Sequence, residues 1–143
     1  MIDYLCGVII EKFNVLNITN HLITEKVDSE ALNHCVVDAI QDIKGKNILK
    51  LDLRDVDDAP SDFFIICEGD STTQIKAISD NIFRRTKEEL GVHANHVEGI
   101  VGAKWILVDF FDTVVHVFHP ELRVFYDIEE LWGDAKVTQY ENL

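Results

Sequence analysis

Apolar residues are concentrated over residues 104–120, KWILVDFFDTVVHVFHP, in two runs broken by Asp112-Thr113. The stretch is rich in β-branched and aromatic residues and predicts a β-hairpin. Its arms span residues 105–111 and 114–119, with a short turn at Asp112-Thr113. A two-residue loop sets Phe111 opposite Val114, Asp109 opposite His116 and Leu107 opposite Phe118. Side chains alternate along a strand, so Ile106, Val108, Phe110, Val115 and Val117 share one apolar face, which reads as core. Trp105, Leu107, Asp109, Phe111, Val114, His116 and Phe118 share the other, an aromatic face with a charge pair in its middle. Such a face either lies beneath another element or receives a partner.

The rest of the chain supplies layers for that hairpin. Over residues 28–44, Leu32, Cys35, Val36, Ala39, Ile40 and Ile43 fall on one helical stripe. Asp28 or Ser29 is placed to cap that helix and Gly45 to stop it in the left-handed region. His34 lies off the stripe. Residues 47–53 predict a strand, and residues 63–68, almost continuously apolar, a central strand buried on both faces. Ser71-Thr72-Thr73-Gln74 fits a capping box and opens a helix over 72–90, with Ile75, Ile78, Ile82 and Phe83 inward and Gly91 as its stop. A short strand follows over 93–98, and a last helix over 122–132 with Leu122, Phe125, Tyr126, Ile128 and Leu131 as its apolar side. The order α-β-β-α-β-β-β-α predicts an α/β domain, one mixed sheet with helices mainly on one face. The division is an N-terminal extension over 1–28, the domain over 29–135 and a tail over 136–143.

Composition narrows the classes of function. Hydrophobic residues make up 47 % of 143 residues, enough for one domain with a core. The formal net charge is −13, so binding of nucleic acid or anionic lipid would need a local basic patch. No apolar run approaches the roughly 20 residues of a membrane helix. Cys6, Cys35 and Cys67 are odd in number and lack metal-type spacing. Cys35 and Cys67 read as small buried hydrophobes in a reducing compartment. Met1 opens neither a secretory signal nor a transit peptide, since the first arginine is Arg54. The expected location is the cytoplasm.

Three groups of residues invite a catalytic reading. Asp52, Asp55, Asp57 and Asp58, with Asp70 after Gly69, are the carboxylates a two-metal phosphoryl-transfer site would need. An acidic turn, where aspartate favours the geometry, accounts for Asp55, Asp57 and Asp58 without a metal. His93, His96, Glu98, His116 and His119 carry metal donors, but residues three apart on a strand face opposite ways. Only His96 and Glu98 share a face, short of the three or four ligands zinc requires. Ser71 lacks every nucleophile or phosphate-loop motif, and the capping box explains it.

Linked blocks supply a sharper reading. Asp62-Phe63-Phe64-Ile65-Ile66-Cys67-Glu68-Gly69-Asp70-Ser71 resembles the D-[FY]-[FM]-[VI]-I-C-x-G-x-S block of the ribosomal silencing factor family, RsfS or Iojap-like. His96-Val97-Glu98-Gly99, Trp105-Ile106-Leu107-Val108-Asp109 and Asp112-Thr113-Val114-Val115-His116-Val117-Phe118 resemble its second signature. Tyr126-Asp127-Ile128-Glu129-Glu130-Leu131-Trp132 is similar to its closing Y-x-L-E-x-L-W. The resemblance covers about residues 29–135, in order and spacing.

It implies a non-catalytic factor with no cofactor and no metal, on a fold resembling a degenerate nucleotidyltransferase. The family binds a basic protein on the joining face of the large ribosomal subunit, blocks subunit association and represses translation under nutrient limitation. The acidic surface would suit such a partner and would disfavour direct contact with RNA; no membrane is implied, and a homodimer is compatible. The implied partner-binding residues are Trp105, Leu107 and Asp109, with Phe110, Glu98 and His116 beside them. Phe110 stands where many relatives have tyrosine or leucine, so a hydroxyl contact there is lost. The rival is a metal-dependent nucleotidyl or phosphoryl transferase using Asp52, Asp55 and Asp70, and a dimerising adaptor is a third alternative.

Overall fold

The structure, a computed structural model, describes residues 27–143; most of the expected N-terminal extension, residues 1–26, lies outside the described residues. Helix α1 spans Ser29–Asp42, and the Asp28 side chain caps it by accepting from the Glu30 amide. Strands β1 (Lys46–Asp52) and β2 (Phe63–Glu68) follow, then helix α2 (Thr72–Leu90). Strands β3 (His96–Glu98), β4 (Trp105–Asp109) and β5 (Thr113–Phe118) lead into two short helices, α3 (Pro120–Tyr126) and α4 (Ile128–Leu131). Strand β6 (Lys136–Gln139) closes the chain, where the sequence suggests a tail. Its four residues are polar or exposed and carry no buried alternation, so no periodic signal marks it.

The six strands form one mixed sheet in the order β3-β4-β5-β2-β1-β6. All neighbours are antiparallel except the central pair β2 and β5, which run parallel. β2 is buried on both faces, as its nearly continuous apolar run requires. One face carries Ile48, Ile65, Cys67, Ile106, Val108, Val115 and Val117 beneath α1 and α2. The opposite face carries Leu51, Phe64, Ile66, Leu107, Val114 and Phe118, partly covered by Tyr126, Ile128 and Trp132 from the α3–α4 segment. The two long helices thus share one face, and the two short ones cover part of the other.

Local chemistry sets most of the boundaries. Ser71 Oγ accepts from the Gln74 amide at 3.1 Å, while Gln74 Oε1 reaches back to the Asp70 amide at 2.7 Å, one residue earlier than the capping-box pattern suggests. Gly91 ends α2 at φ 65°. At the end of α1 the left-handed residue is Lys44, at φ 62°, rather than Gly45. Gly45 is needed for a different reason: a Cβ there would run into the Ile40 side chain.

The helix expected over 122–132 is broken at Asp127, which adopts φ 43° and ψ 53°. Residues two apart on a continuous helix lie on nearly opposite sides. The break lets both Tyr126 and Ile128 turn onto the sheet, and each is buried. It also leaves Phe125 exposed, against its expected inward place. Arg123, the one base in residues 120–135, fastens this segment to the sheet. Its guanidinium donates to the Asn47 carbonyl at 2.6 Å, to Glu68 at 3.2 Å and to Glu129 at 2.6 Å. Burying that charge is tolerable because Nε and Nη1 meet three acceptors, two of them carboxylates.

Candidate partner-binding face

β4 and β5 pair two residues out of the expected register. Asp109 stands opposite Val114, Leu107 opposite His116 and Trp105 opposite Phe118. The loop is Phe111-Asp112, with Phe111 at φ 75°. Asp109 holds it there, Oδ1 accepting from the Phe111 amide at 2.8 Å. Ser61 Oγ adds a bond to the Asp112 carbonyl at 2.7 Å. The expected Asp109–His116 pair is therefore not formed. A shift of two residues leaves every side chain on its expected face, so the division into core and mixed faces stands.

Trp105 is a half-buried residue of that mixed face. Its ring lies 4.6 Å from Phe118 and 4.9 Å from Tyr126, centroid to centroid. Its indole Nε1 donates to His116 Nδ1 at 3.1 Å. An indole N–H can only donate, so Nδ1 must be the unprotonated nitrogen of a neutral imidazole. The proton then sits on Nε2, which is buried without a hydrogen-bond partner. Its ring neighbours are Phe64, edge-on at 4.7 Å, and Phe118. Burial holds the His116 pKa down at about 3, because nothing compensates a charge in that setting.

The structure brings Trp105, Leu107, Asp109, His116 and Glu98 to one face. Glu98 stands opposite Leu107 on the outer strand β3 and lies 3.0 Å from His96 Nε2, about one-third exposed. Leu107, Asp109 and His116 are buried there. Phe110 is on the other face, in the core beneath the helices. Trp105 and Glu98 are thus the accessible members of the set. Tyr126 and Arg123 complete the face; Tyr126 is part of a quoted motif, while Arg123 is marked only as a lone base in an acidic segment.

The residues of the rival transferase reading do not converge. Asp52 is engaged by Arg54 at 2.7 and 3.0 Å, which pulls its pKa down to about 2. Asp70 pairs with Lys46 at 2.7 Å and Asp55 with Lys136 at 3.5 Å. Asp52 and Lys46 are the two ends of β1, which at a strand's rise per residue sets them about 20 Å apart. His119 caps α3, accepting from the Glu121 amide at 3.3 Å. Among the described residues no group of three or more His, Cys, Asp or Glu side chains is placed to hold a metal ion, and no helix is long and apolar enough to cross a membrane.

The chain and its fold are similar to known proteins. The model of the family "Ribosomal silencing factor during starvation" (RsfS) matches residues 26–143. The ribosomal silencing factor RsfS of Halalkalibacterium halodurans is 34 % identical over 117 residues, spanning 82 % of this chain and 98 % of that protein. Its Bacillus subtilis counterpart is 39 % identical over 103 residues, spanning 72 % and 86 %. The crystal structure of a Chromobacterium violaceum protein, 37 % identical, superposes with a TM-score of 0.71 and covers 75 % of this chain and 88 % of that one. With the family model spanning the whole of the described sheet and helices, the chain belongs to the RsfS family of ribosomal silencing factors.

Proposed function

We propose that the protein docks through its Trp105 face onto a basic protein on the joining face of the large ribosomal subunit. Docked there, it excludes the small subunit and represses translation under nutrient limitation. The observation that supports this most is Trp105 itself, a large ring left half-buried at the start of β4 yet fixed by a hydrogen bond to a buried histidine. A pre-positioned aromatic of this kind forms a good interface anchor, since little freedom is lost on binding. Glu98 beside it, and a chain of net charge −13, favour a basic partner. In this reading Leu107, Asp109 and His116 hold the strand and the indole, and Phe110 secures the hairpin from beneath. The scaffold is that of a nucleotidyltransferase-like fold without its carboxylates, works in the cytoplasm with no cofactor, and leaves room for a homodimer.

Exclusion by bulk needs only position and affinity. A chain of this length has a radius of gyration of roughly 14–15 Å, so most of a docked molecule stands out from the large subunit. Trp105→Ala should weaken large-subunit binding about thirtyfold, equivalent to about 2 kcal/mol, and restore subunit joining in parallel. Sedimentation of mixed subunits with wild-type and variant protein reads both, with circular dichroism as the folding control. A folded variant that still blocks joining at wild-type concentrations would remove Trp105 from the docking surface. The Glu98 contribution should fade as salt rises.

A further inference from the structure

We propose that Val124 and Phe125 on α3 form a second anchor of the docking face, fitted to an apolar spot with a basic rim on a protein partner. The inference rests on the docking reading above and extends it to a surface which that reading leaves out. The two side chains are 81 % and 68 % exposed, although their helix is held rigidly by Arg123 from below. They are not isolated: Phe125 meets Tyr126 edge-on at 5.1 Å, and Tyr126 lies 4.9 Å from Trp105. Three rings thus run in a row from the start of β4 to solvent. Two large apolar side chains left exposed side by side, backed by the buried Tyr126 ring that joins them to Trp105, mark an interaction site.

The rim of the patch selects the occupant. Residues 120–135 carry Glu121, Asp127, Glu129, Glu130 and Asp134 against the single base Arg123. That base is buried in bonds to Glu68 and Glu129, so Glu121, Asp127, Glu130 and Asp134 leave the segment around the patch with an excess of acid. An apolar centre inside an acidic rim complements an apolar centre inside a basic one. It repels the phosphates of RNA and gives a second copy of this acidic chain an unfavourable rim-to-rim encounter.

The test measures binding of wild type, Phe125→Ser, Val124→Ser, Trp105→Ala and Val137→Ser to purified large subunits and to large-subunit proteins freed of RNA. Val137 is the control, exposed on β6 at the far edge of the sheet. Phe125→Ser should weaken binding at least tenfold on both preparations, Val124→Ser severalfold, and Val137→Ser not at all. Both α3 side chains are exposed, so the variants should keep the wild-type unfolding midpoint, and Val124→Ser alone decides the matter if Phe125→Ser does not. Wild-type affinity in both α3 variants, with Trp105→Ala weakened, overturns the second anchor and leaves the docking reading standing. Wild-type affinity in Trp105→Ala as well removes the docking reading and this inference with it. A loss seen only when RNA is present overturns the protein partner as occupant.

Discussion

Between pH 6.5 and 3 the domain should lose stability at a rate approaching about 1.4 kcal/mol per pH unit through His116 alone. The sign follows from burial. In the folded chain the imidazole is neutral, with its pKa held down at about 3; in the unfolded chain it titrates near its ordinary value. Within that window the unfolded state binds the extra proton, so acid favours unfolding. The contribution is fully present above the unfolded value and is lost as pH falls toward the folded one, about 5 kcal/mol in all. Asp52, held down by Arg54 at about 2, loses its contribution only in a lower window, from its ordinary value downward. His116→Gln keeps an acceptor for the Trp105 indole and removes the titration. Urea unfolding at pH 7, 5.5 and 4 should therefore show a flatter acid limb in the variant. Equal slopes in the two proteins would mean that His116 is not the buried neutral group described above.

Phe64→Ala should cost about 3–5 kcal/mol, the range for removing a buried ring from a packed core. Phe64 is 2 % exposed on the central strand β2. Its ring supports His116 from one side and meets Trp132 edge-on at 6.1 Å. The cavity would therefore open between the sheet and the α3–α4 segment, and that segment carries the outer part of the docking face. Denaturant unfolding gives the loss, and the near-ultraviolet signal of Trp132 should change with it. A loss below about 1.5 kcal/mol would show that the α3–α4 segment settles into the space.

The same region marks where sequence reading succeeds and where it stops. The nearly continuous apolar residues 63–68 and the Ser71-to-Gln74 cap define β2 and α2 to the residue, because the signals are local. The hairpin's faces are readable for the same reason: alternation alone sets them. Its register is not, since a shift of two residues preserves the alternation, and Phe111 at positive φ is a turn residue only through its bond to Asp109. Asp127 breaks a helix that periodicity would continue, because the sheet below rewards burial of both Tyr126 and Ile128. Trp105 and Glu98 can be singled out from quoted motifs. The burial of Leu107, Asp109, Phe110 and His116 depends on α3, α4 and the long helices arriving over them, which no local pattern records.

The parallel pairing at the centre of the sheet also governs how the molecule comes into being. β2 and β5 pair each residue with one fifty positions later, Phe63 with Thr113 and Glu68 with Phe118. The central pair cannot close until the chain has been made past Phe118, and closing it means bringing together strands with α2, β3 and β4 between them. Contacts so distant along the chain require the loop entropy to be lost before any packing compensates it. Refolding from denaturant should accordingly take milliseconds or longer, followed by stopped-flow fluorescence of Trp105 and Trp132. Full recovery of the signal within microseconds would contradict this. The molecule's own nascent chain therefore spends most of its synthesis without the sheet on which its activity depends.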